Sequence, residues 1–280
     1  MTFDSNRAWQ DAVAAVKANR EVLLALGGVF FLLPTLLSTV FLTDLQTQIM
    51  ENVGKEAVVN RLVLDNLGTL LGFGLGGTVV QLIGYVAVMA LLSDRGRPTV
   101  GEAIGGGLRG LPTLIAVGLL FFVATVFASF LATLALAGLF SLAGQPVLGA
   151  VIAVIAVIVL LAWASIRLSL VMPAVVMEGI AGPVAAMVRS WRLTKGNSLR
   201  LFGFFTMLSI AYVALALVAT FMVMGPLLIA FGQGTATLIA TGLVTGAIGA
   251  LASVVLIAVL AQIHRQLAGD TPERQASLFE

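Results

Sequence analysis

Six long apolar runs dominate the chain, at about 21–42, 70–93, 112–139, 147–172, 201–224 and 236–262. Each exceeds the roughly 20 residues that a helix needs to cross hydrocarbon. A β-barrel would show segments of about ten residues with strict alternation. Instead, "VLGAVIAVIAVIVLLAWA" is apolar on every face, so the pattern predicts an all-α integral membrane protein with six transmembrane helices. Between the runs, three shorter stretches carry a helical stripe at i, i+3, i+4, i+7. They are Trp9, Ala12, Val13 and Val16; Val100, Ala103, Ile104, Gly107, Leu108 and Leu111; and Val184, Met187, Val188 and Trp191.

Cutting the chain before these stretches yields three units, about 1–98, 99–181 and 182–280, within one membrane domain. The units repeat a pattern and not a residue sequence. Each begins with an amphipathic, base-flanked elbow helix on the cytoplasmic side and continues as a helical hairpin. "TVGE" at 99–102 has capping-box form, and Pro183 after Gly182 suits a first helical turn.

Composition agrees: 60% of the 280 residues are hydrophobic and mean hydropathy is +1.10, outside the range of soluble domains. The absence of cysteine removes disulfides, thiolate metal sites and thiol nucleophiles. The amino terminus lacks the pattern of a cleaved secretory signal, so the first run is expected to remain as an anchor.

Charge sets the orientation. Thirteen of the fifteen Lys and Arg residues fall in the amino terminus, 94–111, 167–200 and the carboxyl tail. Lys55 and Arg61 lie in the loop 43–69 on the other side, where acidic residues outnumber them. The positive-inside rule therefore predicts cytoplasmic termini. It also explains the basic pI near 9.4 at a net charge of only +2 without any nucleic-acid role. Expected interface anchors are Trp9, Arg109, Trp191, Arg200, His264 and Arg265.

Arg167 is the basic residue with the most apolar surroundings, followed by "LSLVMPAVVM" before Glu178. If the fourth helix continues to residue 177, Arg167 lies about 15 Å inside its end at 1.5 Å per residue. The simpler placement has Pro173 ending or kinking the helix and Arg167 snorkelling to the interface. The alternative has Arg167 facing the bundle interior to bind an anionic headgroup or a carboxylate. Direct pairing of Arg167 with Glu178 requires a bend at Pro173. On the third stretch Arg189 falls almost opposite Trp191 and Arg192 on the flank, so Arg189 reaches a lipid phosphate less easily.

Other polar and small residues are expected to pack helices. Gln81 and Tyr85 share a face, and Gln262 sits near the end of the sixth run; all three are read as interhelical glue. Gly72 with Gly76, and Gly242 with Gly246, are small-xxx-small pairs that allow close approach. Pro34, Pro112, Pro173 and Pro226 mark bends or ends.

The run "WASIRLSLVMPAVVMEGIAGPVAAMVRSWRLTKGN" at 163–197 resembles the glycerophosphoryl diester phosphodiesterase membrane-domain family and related six-span bacterial inner-membrane proteins of unknown function. The resemblance rests on Arg167, Leu168, Ser169, Leu170, Pro173, Glu178, Gly179, Gly182 and Pro183, then on Ser190, Trp191, Arg192, Leu193, Thr194, Lys195 and Gly196. It implies a six-span fold in the bacterial inner membrane. Some members add a soluble phosphodiesterase domain, which is not expected here because the chain ends soon after Gln262.

His264 is the single histidine, and the acidic residues form no metal-binding or acid/base constellation within the runs, so neither enzyme activity nor any metal or cofactor is expected. Two functions remain. In one, Arg167, Glu178, Arg189, Arg192 and Lys195 line a cytoplasm-facing site that binds or moves a lipid or other anionic amphiphile. In the other, the chain is a scaffold that assists a partner complex. Membrane lipids are the expected partners, with a protein partner or a second copy left open.

Overall fold

The computed structural model describes residues 2–93, 100–232 and 234–269. The described residues are predominantly helical and contain no strand. Six helical stretches are long and apolar enough to cross a membrane: Arg20–Glu51, Leu67–Leu91, Leu108–Leu142, Val147–Glu178, Ser198–Phe231 and Thr235–Ala268. They coincide with the six apolar runs of the sequence. Several outlast those runs by a turn or more, because backbone hydrogen bonding continues after hydropathy falls.

The first stretch follows α1 (Ser5–Ala18) and comprises α2 (Arg20–Gly27), a π-helical turn at Gly28–Leu32, and α3 (Leu33–Glu51). Pro34 has no N–H for the carbonyl four residues back, and the wider turn just before it absorbs the mismatch. Next come α4 (Glu56–Asp65), α5 (Leu67–Leu71), a second π turn at Gly72–Gly76, and α6 (Gly77–Leu91). The third stretch belongs to α7 (Val100–Leu142), which is continuous through Pro112. No break separates residues 100–111 from the span that follows, in contrast to the expected elbow. Apolar helices tolerate an internal proline when neighbouring groups compensate. The expected capping box lies outside the described residues at Thr99, and Arg95, Arg97 and Arg274 lie outside them as well.

The fourth stretch is two helices, α8 (Pro146–Leu168) and α9 (Val171–Glu178). Its break falls at Ser169 and Leu170, before Pro173 and not at it. Pro173 occupies the first turn of α9, where a missing N–H costs nothing. Then follow α10 (Pro183–Thr194), α11 (Ser198–Phe231) and α12 (Thr235–Ala268).

The chain forms two compact units. The first comprises 1–9, 108–206 and 260–280. Its apolar core includes Val117, Val171, Val175 and Ala186, with Leu114 and Met187 against them. The second comprises 10–107 and 207–259, and close helix contacts hold it together. A Cβ on Gly242 would lie 3.1 Å from the Thr39 side chain, and one on Gly246 would lie 2.8 Å from Leu32. That glycine pair therefore permits close approach, as expected. Gly72 and Gly76 do not: a Cβ at either meets nothing within 4 Å, and the pair bounds a π turn. Gly84 makes the tightest approach, with a Cβ there 2.4 Å from that of Phe30.

Candidate functional site

The candidate site in the first unit forms around the break between α8 and α9. Leu170 there loses its helical acceptor, and its N–H donates instead to Ser190 Oγ on α10 at 3.1 Å. Ser190 Oγ in turn donates to the Arg167 carbonyl at 2.8 Å. One fully buried hydroxyl thus satisfies a donor and an acceptor freed by the break. Thr194, one turn further along α10 and also fully buried, donates to the Ser190 carbonyl at 3.0 Å and lies 3.4 Å from that of Arg167.

The Arg167 side chain is only 7% exposed. It packs within the first unit. Its guanidinium carbon lies 4.4 Å from the Trp191 ring centroid and 6.0 Å from that of Trp163. The two indoles meet edge to face at 4.8 Å. Nη1 donates to Ser198 Oγ at 3.2 Å, and buried Nε has no hydrogen-bond partner. A weakly hydrated guanidinium against indole faces gains cation–π attraction without a carboxylate.

Glu178 closes α9, where the negative end of the helix dipole disfavours a carboxylate. Gly179, at φ 76°, ends the helix in the left-handed conformation. Gly182 is extended and Pro183 starts α10. This short reversal sets Glu178 against Arg189. Arg189 Nε lies 2.8 Å from Oε2 and Nη2 2.9 Å from Oε1, a bidentate fork. His264 Nε2 of α12 approaches Oε1 at 2.8 Å. A carboxylate only accepts, so His264 carries its proton on Nε2 in this contact. Thr113 Oγ1 of α7 ties down the reversal by donating to the Ala181 carbonyl at 2.7 Å.

The five residues expected to share a headgroup site are thus divided among three settings. Arg167 meets the two tryptophans, Glu178 and Arg189 pair with each other, and Arg192 and Lys195 are exposed. Arg167 and Glu178 do not pair, as the spacing indicated. The difficulty that Arg189 had in reaching lipid is resolved by its carboxylate partner. Of the expected anchors, Trp9, Trp191, Arg109 and Arg200 are exposed and Arg265 is partly so. His264 is instead buried, its side chain 5% exposed, because Glu178 offers it an acceptor inside the protein.

Sequence reading gave no structural role to Ser190, Thr194 or Ser198, the first two appearing only in the family resemblance. Their i, i+4, i+8 spacing was visible, but the helix break they serve was not. On α10 the buried face is Ala186, Ser190, Leu193 and Thr194. Val184, Val188 and Trp191 of the expected apolar stripe are exposed, and Met187 alone of the four packs against the core.

In the second unit Tyr85 OH lies 3.5 Å from Ser253 Oγ, the interhelical contact expected of it. Gln81 lines a cavity of about 320 Å³. Among the described residues no group of three or more His, Cys, Asp or Glu is placed to hold a metal ion. Both Glu178 oxygens are already engaged by protein donors. No protein-family model, curated protein or solved structure matches the chain.

Proposed function

We propose that the chain is a multi-pass protein of a bacterial inner (cytoplasmic) membrane that binds anionic lipid headgroups from the cytoplasmic side and has no catalytic machinery. Both termini are cytoplasmic, and three helical hairpins follow amphipathic elbows, the second merged into its span. The family reading rests on a close likeness over residues 163–197 and a looser one over all six spans. The observation that carries the proposal is the two-faced α10. Its small and polar face is clamped to the α8–α9 break, while Val184 and Val188 are exposed beside exposed Arg192 and Lys195. An exposed apolar stripe with cations at its end suits a helix lying in the acyl boundary below anionic headgroups. The common orientation of the termini is supported within the first unit. Phe3 N–H donates to Asn197 Oδ1 at 2.9 Å and Asp4 N–H to Gln266 Oε1 at 3.2 Å, so three segments expected on the cytoplasmic side adjoin.

The scaffold reading gains from one observation: Arg167 and Arg189 turn to protein partners and do not line a groove. Native mass spectrometry of gently purified protein separates the two. Lipid binding predicts retained phosphatidylglycerol that falls roughly 30-fold in Arg192→Ala/Lys195→Ala, at about 1 kcal/mol per cation. Equal retention by wild type and variant would leave the scaffold reading.

A further inference from the structure

The cavity in the second unit differs in kind from the cluster at α10. Four of the apolar spans form its wall, each at least ten residues from either end of its stretch. At 1.5 Å per residue that is about 15 Å or more along each helix. No lining residue is charged. Gln81, Ser209 and Tyr212 line it, and none of the three finds a hydrogen-bond partner among the described residues. Thr35 and Ser253 also face it, but Thr35 donates to the Phe31 carbonyl at 2.8 Å and Ser253 is near Tyr85. An amide and two hydroxyls left open at this depth carry a desolvation cost that hydrocarbon cannot relieve. Groups of this kind belong to a site where something polar enters.

We infer that this cavity binds an uncharged amphiphile whose polar end is a hydroxyl or carbonyl, held by Gln81 and Tyr212. Gln81 supplies two donors and an acceptor, and the Tyr212 and Ser209 hydroxyls supply either role. A neutral hydroxyl or ester end satisfies them. A phosphate, carboxylate or ammonium would enter with no counter-charge in the lining and is excluded. The volume of about 320 Å³ is at the small end of ligand pockets, enough for a polar end and the start of a chain. Tyr212 and Leu256, 41% and 36% exposed, open the wall outward and give the chain its exit. The charge class of this ligand separates it from the anionic lipid proposed at α10, and the two sites are tested separately.

The test uses the full chain in nanodiscs and a 1-monoacylglycerol carrying a photoreactive diazirine beside its ester. The same chain ending in a sulfonate is the charged comparator. Crosslinked peptides are mapped by mass spectrometry, and melting temperature is recorded for every variant. The expected result is saturable labelling of peptides around Gln81 and Tyr212, with the sulfonate weaker there by roughly 100-fold, the cost of a charge at mid-membrane. Gln81→Leu and Tyr212→Phe each lower labelling about fivefold, one neutral hydrogen bond apiece. Gly249→Leu fills the space, since a Cβ there meets only the Tyr212 hydroxyl at 4.0 Å, and labelling is lost with melting unchanged. Labelling that never saturates, that the sulfonate equals, or that persists in well-folded variants would overturn the assignment and leave a cavity filled by water alone.

Discussion

Two polar regions of this molecule belong to the same apolar chain, yet they are finished in opposite ways. Around the α8–α9 break, Glu178, Arg189 and His264 satisfy one another, Ser190 bridges the break, and Arg167 rests against Trp191 with its buried Nε alone unbonded in this cluster. Around the second unit's cavity the groups are neutral, and Gln81, Ser209 and Tyr212 face space. Conspicuous charge in a membrane chain can therefore be structural, while an inconspicuous glutamine marks open chemistry. For Glu178 and for Gln81 the deciding fact is whether the group's hydrogen bonds are already made, not whether it carries charge.

The sharpest way to break this contrast is to remove Glu178. Glu178→Ala leaves Arg189 and nearly buried His264 without their acceptor and is expected to cost about 2–3 kcal/mol in SDS-induced unfolding. That is below the full cost of orphaning a buried charge, because water reaches Arg189. Ser190→Ala strands the Leu170 N–H and removes a donor to the Arg167 carbonyl, with an expected loss of about 1–2 kcal/mol in the same assay.

These effects concern contacts that sequence made only partly legible. The spans were readable because 20 or more apolar residues in a row have few other structures open to them. Arg167 and Glu178 stood out as polar groups in apolar sequence. Their partners did not, because Ser190 lies 23 residues from Arg167 and His264 lies 86 from Glu178. The break at Ser169 and Leu170 had no glycine to announce it, and Pro173 drew attention to the wrong residue. A helical wheel drawn for α10 alone grouped Val184, Met187, Val188 and Trp191 on one stripe, of which Met187 packs against the core and the rest are exposed. It could not show that another face, with Ala186, Ser190 and Thr194, would be the one packed inside. For the cavity, Gln81 was visible but its lack of a partner was a property of the packed helices.

The smallest effect belongs to the cavity. Gln81→Leu removes an amide that bonds nothing in the protein, so unfolding free energy should stay within about 0.6 kcal/mol of wild type, the average worth of an intramembrane polar contact, or rise. A loss as large as that of Ser190→Ala would return Gln81 to the role of interhelical glue and erase the distinction between the two regions.

The most direct test of the structural role of the charges is a double-mutant cycle between Glu178 and Arg189, read by SDS-induced unfolding of Glu178→Gln, Arg189→Met and the double variant. A bidentate pair predicts a favourable coupling of about 1–2 kcal/mol, with the double variant more stable than the sum of the single losses implies. Coupling indistinguishable from zero would contradict the account and return Arg189 to the role of a cation held for a ligand.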